Sequence, residues 1–196
     1  MSDTPTNNKC TWSSIDKDSG VTLSDGNLVG DFSGGWSPGF ATFGIPSSGK
    51  WSFQAKVDGT YLYMGLVAPV DASWVAITNS VDAVYYYGGE GFIATRRTGS
   101  EVREVTNDPP AISSDTNIEV LIDKDNNQFG VVISDTVYMA VDSGLEILDT
   151  MTKIFMQGLS QTITCDFGQG GYEPSQTGYL ALNTANLTTP TILDGT

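Results

Sequence analysis

The sequence predicts an all-β protein, an antiparallel β-sandwich, and three observations support this prediction. Short runs rich in Val, Ile, Thr and Tyr alternate large apolar residues with small or polar ones, as half-buried strands require. The 22 glycines are spread evenly and separate these runs instead of forming a linker. No long stretch has the periodicity of a helix, and the best helical candidate is the short segment 143–151. Strands that recur every ~8–12 residues are typical of a sandwich or a barrel.

The strand pattern is clear enough to assign individual runs and turns. Asp58-Gly59 is predicted to be a hairpin turn, 88–91 a tight glycine turn and 123–127 a longer turn between strands. The predicted strands are 51–57, 61–68, 74–78, 83–87, 91–95, 117–123, 129–134, 136–141, 153–158 and 162–168.

The length of 196 residues fits one domain with a packed core. Both ends are polar and rich in Thr and Pro, so we predict an N-terminal arm over 1–9, a sandwich over 10–186 and a C-terminal arm over 187–196. No apolar run is long enough for a membrane helix or a signal peptide, and we therefore expect synthesis in a cytoplasm without export. In that reducing compartment Cys10 and Cys165 are expected to be free, buried thiols rather than a disulfide.

The charge and the missing histidine exclude several function classes. The chain has 9 basic and 23 acidic residues, a net charge of −14, and no histidine. It therefore cannot form a Ser–His–Asp or Cys–His catalytic site, and its 2 cysteines cannot form an all-thiolate zinc site. Nucleic acids and anionic membranes are bound by clustered Lys and Arg, and they would repel a chain with this net negative charge. We expect no cofactor, no metal, no nucleic acid and no membrane partner.

Acidic residues alone could still support an enzyme or a calcium site. Glu101 and Glu104 could form a carboxylate pair, but their odd spacing places them on opposite faces of a strand. Asp123 and Asp125 could share a face, but they lie in a predicted turn. The loops that begin at Asp16 and Asp123 resemble the start of a calcium loop without its required Gly and Glu. We therefore interpret these acids as turn and surface residues and predict no enzymatic activity.

Aromatic residues are the stronger candidates for ligand contact. Trp12 and Trp51 are predicted to fill the core. Trp36, Trp74 and Tyr86 remain open between the core and an exposed position, where an aromatic side chain can anchor a protein or a sugar.

All three arginines, Arg96, Arg97 and Arg103, lie close together in this acidic chain. The favoured interpretation is pairing with neighbouring glutamates. The alternative is a basic patch that faces an acidic partner. The glutamates available for internal pairing are Glu90, Glu101 and Glu104.

Several motifs together resemble a known family. Segment 49–68, GKWSFQAKVDG followed by YLYMGLVA, resembles the GKWYFEV core of SPRY domains, which are concanavalin-like β-sandwiches. Segments 117–135 and 159–169 resemble the hairpin and the closing strand of that family, in the expected order. The family's hairpin usually ends in an Asn-Gly turn, which is Ser134-Asp135-Thr136 here, so we expect this turn to be reshaped.

A closer resemblance is to SPRY-like modules of tailed-bacteriophage virion proteins. It covers residues 10–192, from CTWSSIDKDSGVTLSDGNL to the end motif TGYLALNTANL and the PTI that follows it. The resemblance implies a non-enzymatic virion module. We expect this module to stand alone, because no trimerising coiled coil or tail-attachment domain is recognisable, and this favours a capsid decoration or cement protein.

The function we predict is therefore a structural protein on the outer surface of a virion, made in the host cytoplasm. Its partner would be the major capsid protein or another virion protein, with self-association left open. The alternative is a receptor- or carbohydrate-binding tip of a tail fibre, in which Trp36, Trp74 and Tyr86 stack on a host glycan. The predicted capsid contacts are Leu187, Thr189, Pro190, Ile192, Arg96, Arg97 and Arg103.

Overall fold

Two β-sheets face each other in the computed structural model of the chain. The structure describes residues 10–69, 82–97, 100–103, 108–140, 148 and 150–182, without the side chains of 102 and 103. The strands are β1 (Trp12–Lys17), β2 (Thr22–Ser24), β3 (Val29–Asp31), β4 (Ser37–Gly44), β5 (Lys50–Asp58), β6 (Leu62–Val67), β7 (Ala83–Tyr87), β8 (Phe92–Arg97), β9 (Ser100–Arg103), β10 (Thr116–Asp123), β11 (Gln128–Ile133), β12 (Thr136–Ala140), β13 (Lys153–Gly158), β14 (Thr162–Asp166) and β15 (Leu180–Ala181).

The first sheet has the order β1-β4-β13-β6-β7-β8-β9, and the second has the order β12-β11-β10-β5-β14-β3-β2. Neighbouring strands are antiparallel along both paths. The short β15 pairs with β5 in parallel, where Leu180 lies opposite Trp51 and beyond the part of β5 that β14 covers. The predicted all-β antiparallel sandwich is confirmed. Within the described ranges, no helix has the length and hydropathy needed to cross a lipid bilayer.

The main core lies between the two sheets. Trp51 and Phe53 of β5 belong to the same buried cluster as Met64 of β6, which lies in the other sheet. Trp12 is 1% exposed and Trp51 is 6% exposed, so both are core residues as predicted. Burying one such large apolar side chain stabilises the fold by about 1.5–3 kcal/mol.

The two cysteines are free and buried, as predicted. Cys165 Sγ lies 3.7 Å from Met156 Sδ in the core. Burial raises the pKa of the Cys10 thiol to about 12, with only partial compensation from hydrogen bonds of Phe43 and Thr42. Both thiols therefore act as small apolar groups at neutral pH.

The prediction of a hairpin at Asp58-Gly59 was wrong. The strand before this turn, β5, pairs with β10 and β14, whereas the strand after it, β6, pairs with β7 and β13. The turn therefore carries the chain from one sheet to the other. Gln161 fixes this crossing, because its Nε2 donates to the carbonyl of Tyr61 at 2.7 Å. An Asp-Gly pair favours a turn, but whether the two strands beside it pair with each other depends on strands that are distant in the sequence.

The predictions of turns at 88–91 and 123–127 are confirmed. Residues 88–91 join β7 to β8, and 123–127 join β10 to β11. Burial acts to raise the pKa of Asp123, but hydrogen bonds from Lys50 and Asn126 outweigh it and lower that pKa. Ser134 and Asp135 both have positive φ, 50° and 61°, and they form a two-residue turn between β11 and β12. Positive φ at both positions is the geometry that an Asn-Gly turn adopts, so the expectation that this turn would be reshaped was wrong.

Strands β1 to β4, β9 and β15 were not assigned from the sequence. In β4 the cause is its composition, because Pro38, Gly39 and Gly44 interrupt the apolar alternation. Gly39 lies beside the ring of the buried Phe32, where a Cβ would make an ordinary contact at 3.6 Å. The predicted strand 74–78, both arms and most of the helical candidate 143–151 lie outside the described residues.

Candidate binding site

The outer face of the first sheet carries a second hydrophobic cluster. Because side chains alternate along a strand, Tyr63, Tyr85 and Tyr87 point away from the core that Met64 and Tyr86 enter. Strand β7 is therefore buried on both faces. The cluster consists of Phe40, Val67, Ala83, Tyr85, Tyr87, Phe92, Ala94 and Phe155, with Tyr63 packed against it.

Three rings at one end of this face form a surface that we call the aromatic platform: Trp36, Tyr61 and Tyr63. The centroid of the Trp36 ring lies 5.3 Å from that of Tyr63 and 6.2 Å from that of Tyr61. Trp36 is 37% exposed and Tyr61 is 50% exposed, whereas Tyr63 is half-buried. The platform thus presents two large rings to solvent beside a third.

The sheet register brings the two exposed rings together. Strand β13 lies between β4 and β6, and its last residue, Gly158, pairs with Ser37 on one side and Leu62 on the other. Trp36 and Tyr61 each immediately precede these partners, so both lie beside the end of β13. Gln157 Nε2 donates to the Trp36 carbonyl at 3.1 Å, which fixes the backbone under that ring.

The buried cluster supports the platform from below. Tyr63 stacks on Tyr87 at 4.5 Å between centroids, and Tyr87 meets the edge of Phe92 at 5.3 Å. Gly89 leaves room for this arrangement, because a Cβ there would lie 2.7 Å from the Tyr87 hydroxyl and 3.2 Å from Tyr61 Cδ1. The exposed rings are therefore held in place before any ligand arrives, which lowers the entropy cost of binding.

Polar groups lie behind the platform on the same face. The Tyr63 ring meets that of Tyr85 at 5.2 Å, and the Tyr85 hydroxyl donates to Glu101. Arg96 forms an ion pair with the same carboxylate at 3.1 Å. Burial, followed by the nearby Tyr87 and Glu101, raises the pKa of Tyr63 to about 12, so its hydroxyl remains a proton donor at neutral pH.

Of the three predicted ligand aromatics, the structure exposes Trp36. Tyr86 is 0% exposed, so its ring cannot stack on a ligand, and its hydroxyl instead donates to the Pro110 carbonyl at 2.6 Å. The tyrosines of this run alternate between the two faces of the sheet, as predicted, but it is Tyr86 that enters the core, while Tyr85 and Tyr87 lie on the outer face. Trp74 lies outside the described residues.

The predicted capsid contacts are only partly described. Arg96 pairs with Glu101, which supports internal pairing for this arginine, and Arg97 is exposed. The structure also brings Arg96 to the sheet face that carries Trp36. The other predicted contacts, the Arg103 side chain and Leu187, Thr189, Pro190 and Ile192, lie outside the described part of the chain.

Sequence reasoning missed Tyr61 and Tyr63. Their signal was the two-residue spacing in Tyr-Leu-Tyr-Met, which places both tyrosines on the face opposite Leu62 and Met64. The predicted acidic turn residues have structural partners. Asp125 Oδ1 accepts from Gly49 N at 2.8 Å. Across the described ranges, no three Asp, Glu or Cys side chains are arranged to hold a metal ion.

Comparison with known proteins identifies the fold. No family model matches the chain, and no curated protein matches it. The SPRY domain of human HERC1 is similar at TM-score 0.59 and 14% identity, over 79% of this chain and 96% of that one. The TRIM65 PSpry domain is similar at TM-score 0.56 and 11% identity, over 81% and 92%. The carbohydrate-binding module CBM66 from Bacillus subtilis is similar at TM-score 0.51 and 10% identity, over 81% and 94%.

At these identities the likeness shows the fold alone. The chain has a SPRY-like, concanavalin-like β-sandwich, as the segments around Trp51 and 117–135 had indicated. This fold is compatible with a module that binds protein or carbohydrate. The platform gives such a module a specific surface.

Proposed function

We propose that this chain is a non-enzymatic binding module and that the aromatic platform is its main contact surface. The observation that carries the proposal is the exposure of Trp36 and Tyr61, 37% and 50%, on a base of buried rings. Aromatic side chains supply much of the binding energy at interfaces, because each buries a large area and loses little conformational freedom.

We place this module on the outer surface of a tailed-bacteriophage virion, as a capsid decoration protein made in the host cytoplasm. The support is the resemblance of residues 10–28 and 167–192 to phage virion modules, together with a fold compatible with binding. The partner is the major capsid protein or another virion protein. The exposed Arg97 and the arm 187–196 are proposed as additional contacts at the rim.

The test is binding of the purified protein to capsids that lack it, measured as occupancy against concentration. The double variant Trp36→Ala, Tyr61→Ala should bind at least about 100-fold more weakly, since each anchor residue contributes more than about 1.4 kcal/mol. The matched control is Leu180→Ala, which removes a 45% exposed apolar side chain on the other sheet and should leave occupancy unchanged.

Unchanged occupancy of the double variant would exclude the platform as the contact. A protein that shows no saturable binding to any virion particle would exclude the decoration role. Deletion of 187–196 tests the arm separately, and an unaltered occupancy would remove it from the proposal.

A second candidate function is carbohydrate binding at a tail-fibre tip, with a host-surface glycan as the ligand. The observation that favours it is the pairing of exposed rings with tyrosine hydroxyls that remain protonated, because sugars bind by stacking and by hydrogen bonds. A glycan array should then give a signal that Trp36→Ala abolishes and Trp36→Phe retains. Copy number separates the two settings: tens to hundreds of copies per particle indicate decoration, and roughly six to eighteen indicate a tail appendage.

A further inference from the structure

A polar cavity lies on the outer face of the second sheet, on the opposite side of the sandwich from the platform. Its volume is about 670 Å³. The sheet forms its floor through Gln54 and Glu119, and the segments 113–117, 134–135 and 172–175 form its walls. Four separate parts of the chain therefore converge on one concave surface.

Glu119 occupies the centre of the floor. It lies on β10, opposite Gln54 of β5 and Val132 of β11, and only 6% of it is exposed. Its Oε1 accepts hydrogen bonds from the Ser52 hydroxyl at 3.1 Å, the Tyr172 hydroxyl at 2.7 Å and the Ser175 backbone N–H at 3.0 Å.

All three hydrogen bonds converge on one oxygen of this carboxylate. The other oxygen, Oε2, receives none of them, and the side chain lines the cavity. A carboxylate that is more than nine-tenths buried thus keeps an acceptor for a donor from outside the chain. The three hydrogen bonds to Oε1 offset the cost of burying this carboxylate.

The charge of the cavity favours a cationic donor. Asp115, Asp135 and Glu173 line it together with Glu119, and its remaining lining residues carry hydroxyl, amide or apolar side chains. Asp115 forms an ion pair with Lys56 at 3.0 Å. Among the described residues, these carboxylates are not grouped closely enough to hold a metal ion.

We propose that this cavity, which we call the Glu119 cavity, binds the guanidinium group of an arginine side chain on a partner protein. Glu119 Oε2 accepts from one edge of the guanidinium, and the acidic rim balances its charge. A guanidinium carries five N–H donors in a plane, which matches a cavity that offers acceptors on several walls. This site is independent of the platform and would give the module a second contact.

The experiment is an NMR titration of the full-length, ¹⁵N-labelled protein with N-acetyl-arginine amide at low salt. The control ligand is N-acetyl-citrulline amide, which has the same shape but no charge. We expect saturable shifts at residues of the Glu119 cavity for arginine, with at least about tenfold weaker binding of citrulline, since charge-assisted hydrogen bonds are about twice as strong as neutral ones.

Two variants test the assignment of residues. Glu119→Gln retains an oxygen that can accept from Ser52, Tyr172 and Ser175 but removes the charge. Because the hydrogen bond to arginine is then no longer charge-assisted, this variant should bind arginine at least about tenfold more weakly. Asp135→Asn with Glu173→Gln changes only exposed rim residues and should weaken binding severalfold. Asp31→Asn, an exposed acid outside the cavity, should have no effect.

Three results would overturn the proposal. The first is equal binding of arginine and citrulline, or binding of neutral polyols alone, which would indicate a sugar site. The second is uniform, non-saturable shifts over the acidic surface, which would indicate diffuse attraction. The third is an arginine affinity that neither the Glu119 variant nor the rim variant lowers. If the Glu119 variant does not fold, the affinity of the rim variant alone is the test. None of these outcomes depends on the platform.

Discussion

The glycine turn beside the platform gives a quantitative test of the fold. Gly91 has φ of +71°, and a Cβ at this position would lie 2.5 Å from the carbonyl carbon of Pro110 and still closer to Pro109 O and Ala111 N. Gly26 has nearly the same φ, +67°, but a Cβ there would meet nothing within 4 Å. The pair separates the cost of the left-handed backbone from the cost of steric overlap.

The expected free energies follow from these two observations. Gly26→Ala should destabilise the fold by about 1–2 kcal/mol, the cost of placing an L-residue in the left-handed region. Gly91→Ala has the same cost and a further ~1–3 kcal/mol, because the overlapping atoms belong to backbone that cannot rotate away. The total of about 2–5 kcal/mol is a large fraction of the free energy of unfolding of a typical domain, which is about 5–15 kcal/mol.

The assay is urea unfolding followed by tryptophan fluorescence, with the free energy extrapolated linearly to water. Gly91→Ala should shift the midpoint clearly further than Gly26→Ala, with an unchanged slope. If the two variants are equally destabilised, the close approach of segment 109–111 to the turn does not exist as described, and our account of that turn is incorrect.

Three further predictions follow from single contacts. Gly89→Ala should weaken ligand binding and cost about 1–3 kcal/mol of stability, because the added Cβ displaces the ring and hydroxyl of Tyr87 and the ring of Tyr61; binding and unfolding measurements on one sample check this. Tyr86→Phe should lose about 0.5–1.5 kcal/mol, since it leaves the Pro110 carbonyl without its donor, and ligand affinity should not change. The stability of the fold should fall as the pH rises from about 9 to about 12, because burial raises the pKa of Cys10 from 9.0 and of Tyr63 from 10.0, each to about 12. In the lower part of that pH range only the unfolded chain releases these protons, which favours unfolding. Tyr63→Phe removes one of the two groups, so the free energy of unfolding, measured in urea at each pH, should fall less steeply with pH.

Local pattern was sufficient for much of the fold. The runs 83–87 and 153–158 were predicted with the bounds that the structure has, because both are short segments with large apolar residues at their centre. Strand β4 escaped the prediction because Pro38 and its glycines carry no apolar signal, and its place in the sheet comes from pairing with the distant strands β1 and β13.

The site was harder to predict, because it depends on the phase of the alternation. In the run around Tyr86, either Tyr86 or its two neighbours must enter the core, and the local sequence is compatible with both. The register decides: Tyr86 pairs with Met64 and Ile93, which belong to the inter-sheet core. Tyr61 and Trp36 are 25 positions apart in the sequence, and only the placement of β13 between their strands makes them neighbours.

The two sheets of the sandwich present chemically different outer faces. The first carries packed rings, while the second carries the cavity of Glu119, Asp115, Asp135 and Glu173. All four cavity acids belong to residues 104–196, which contain 13 acids and only Lys124 and Lys153 as bases. Salt screens exposed charges beyond about 8–10 Å but does not weaken the burial of rings. Contacts on the first sheet should therefore persist at high ionic strength, and contacts with the rim of the Glu119 cavity should weaken, so one salt series separates the two surfaces.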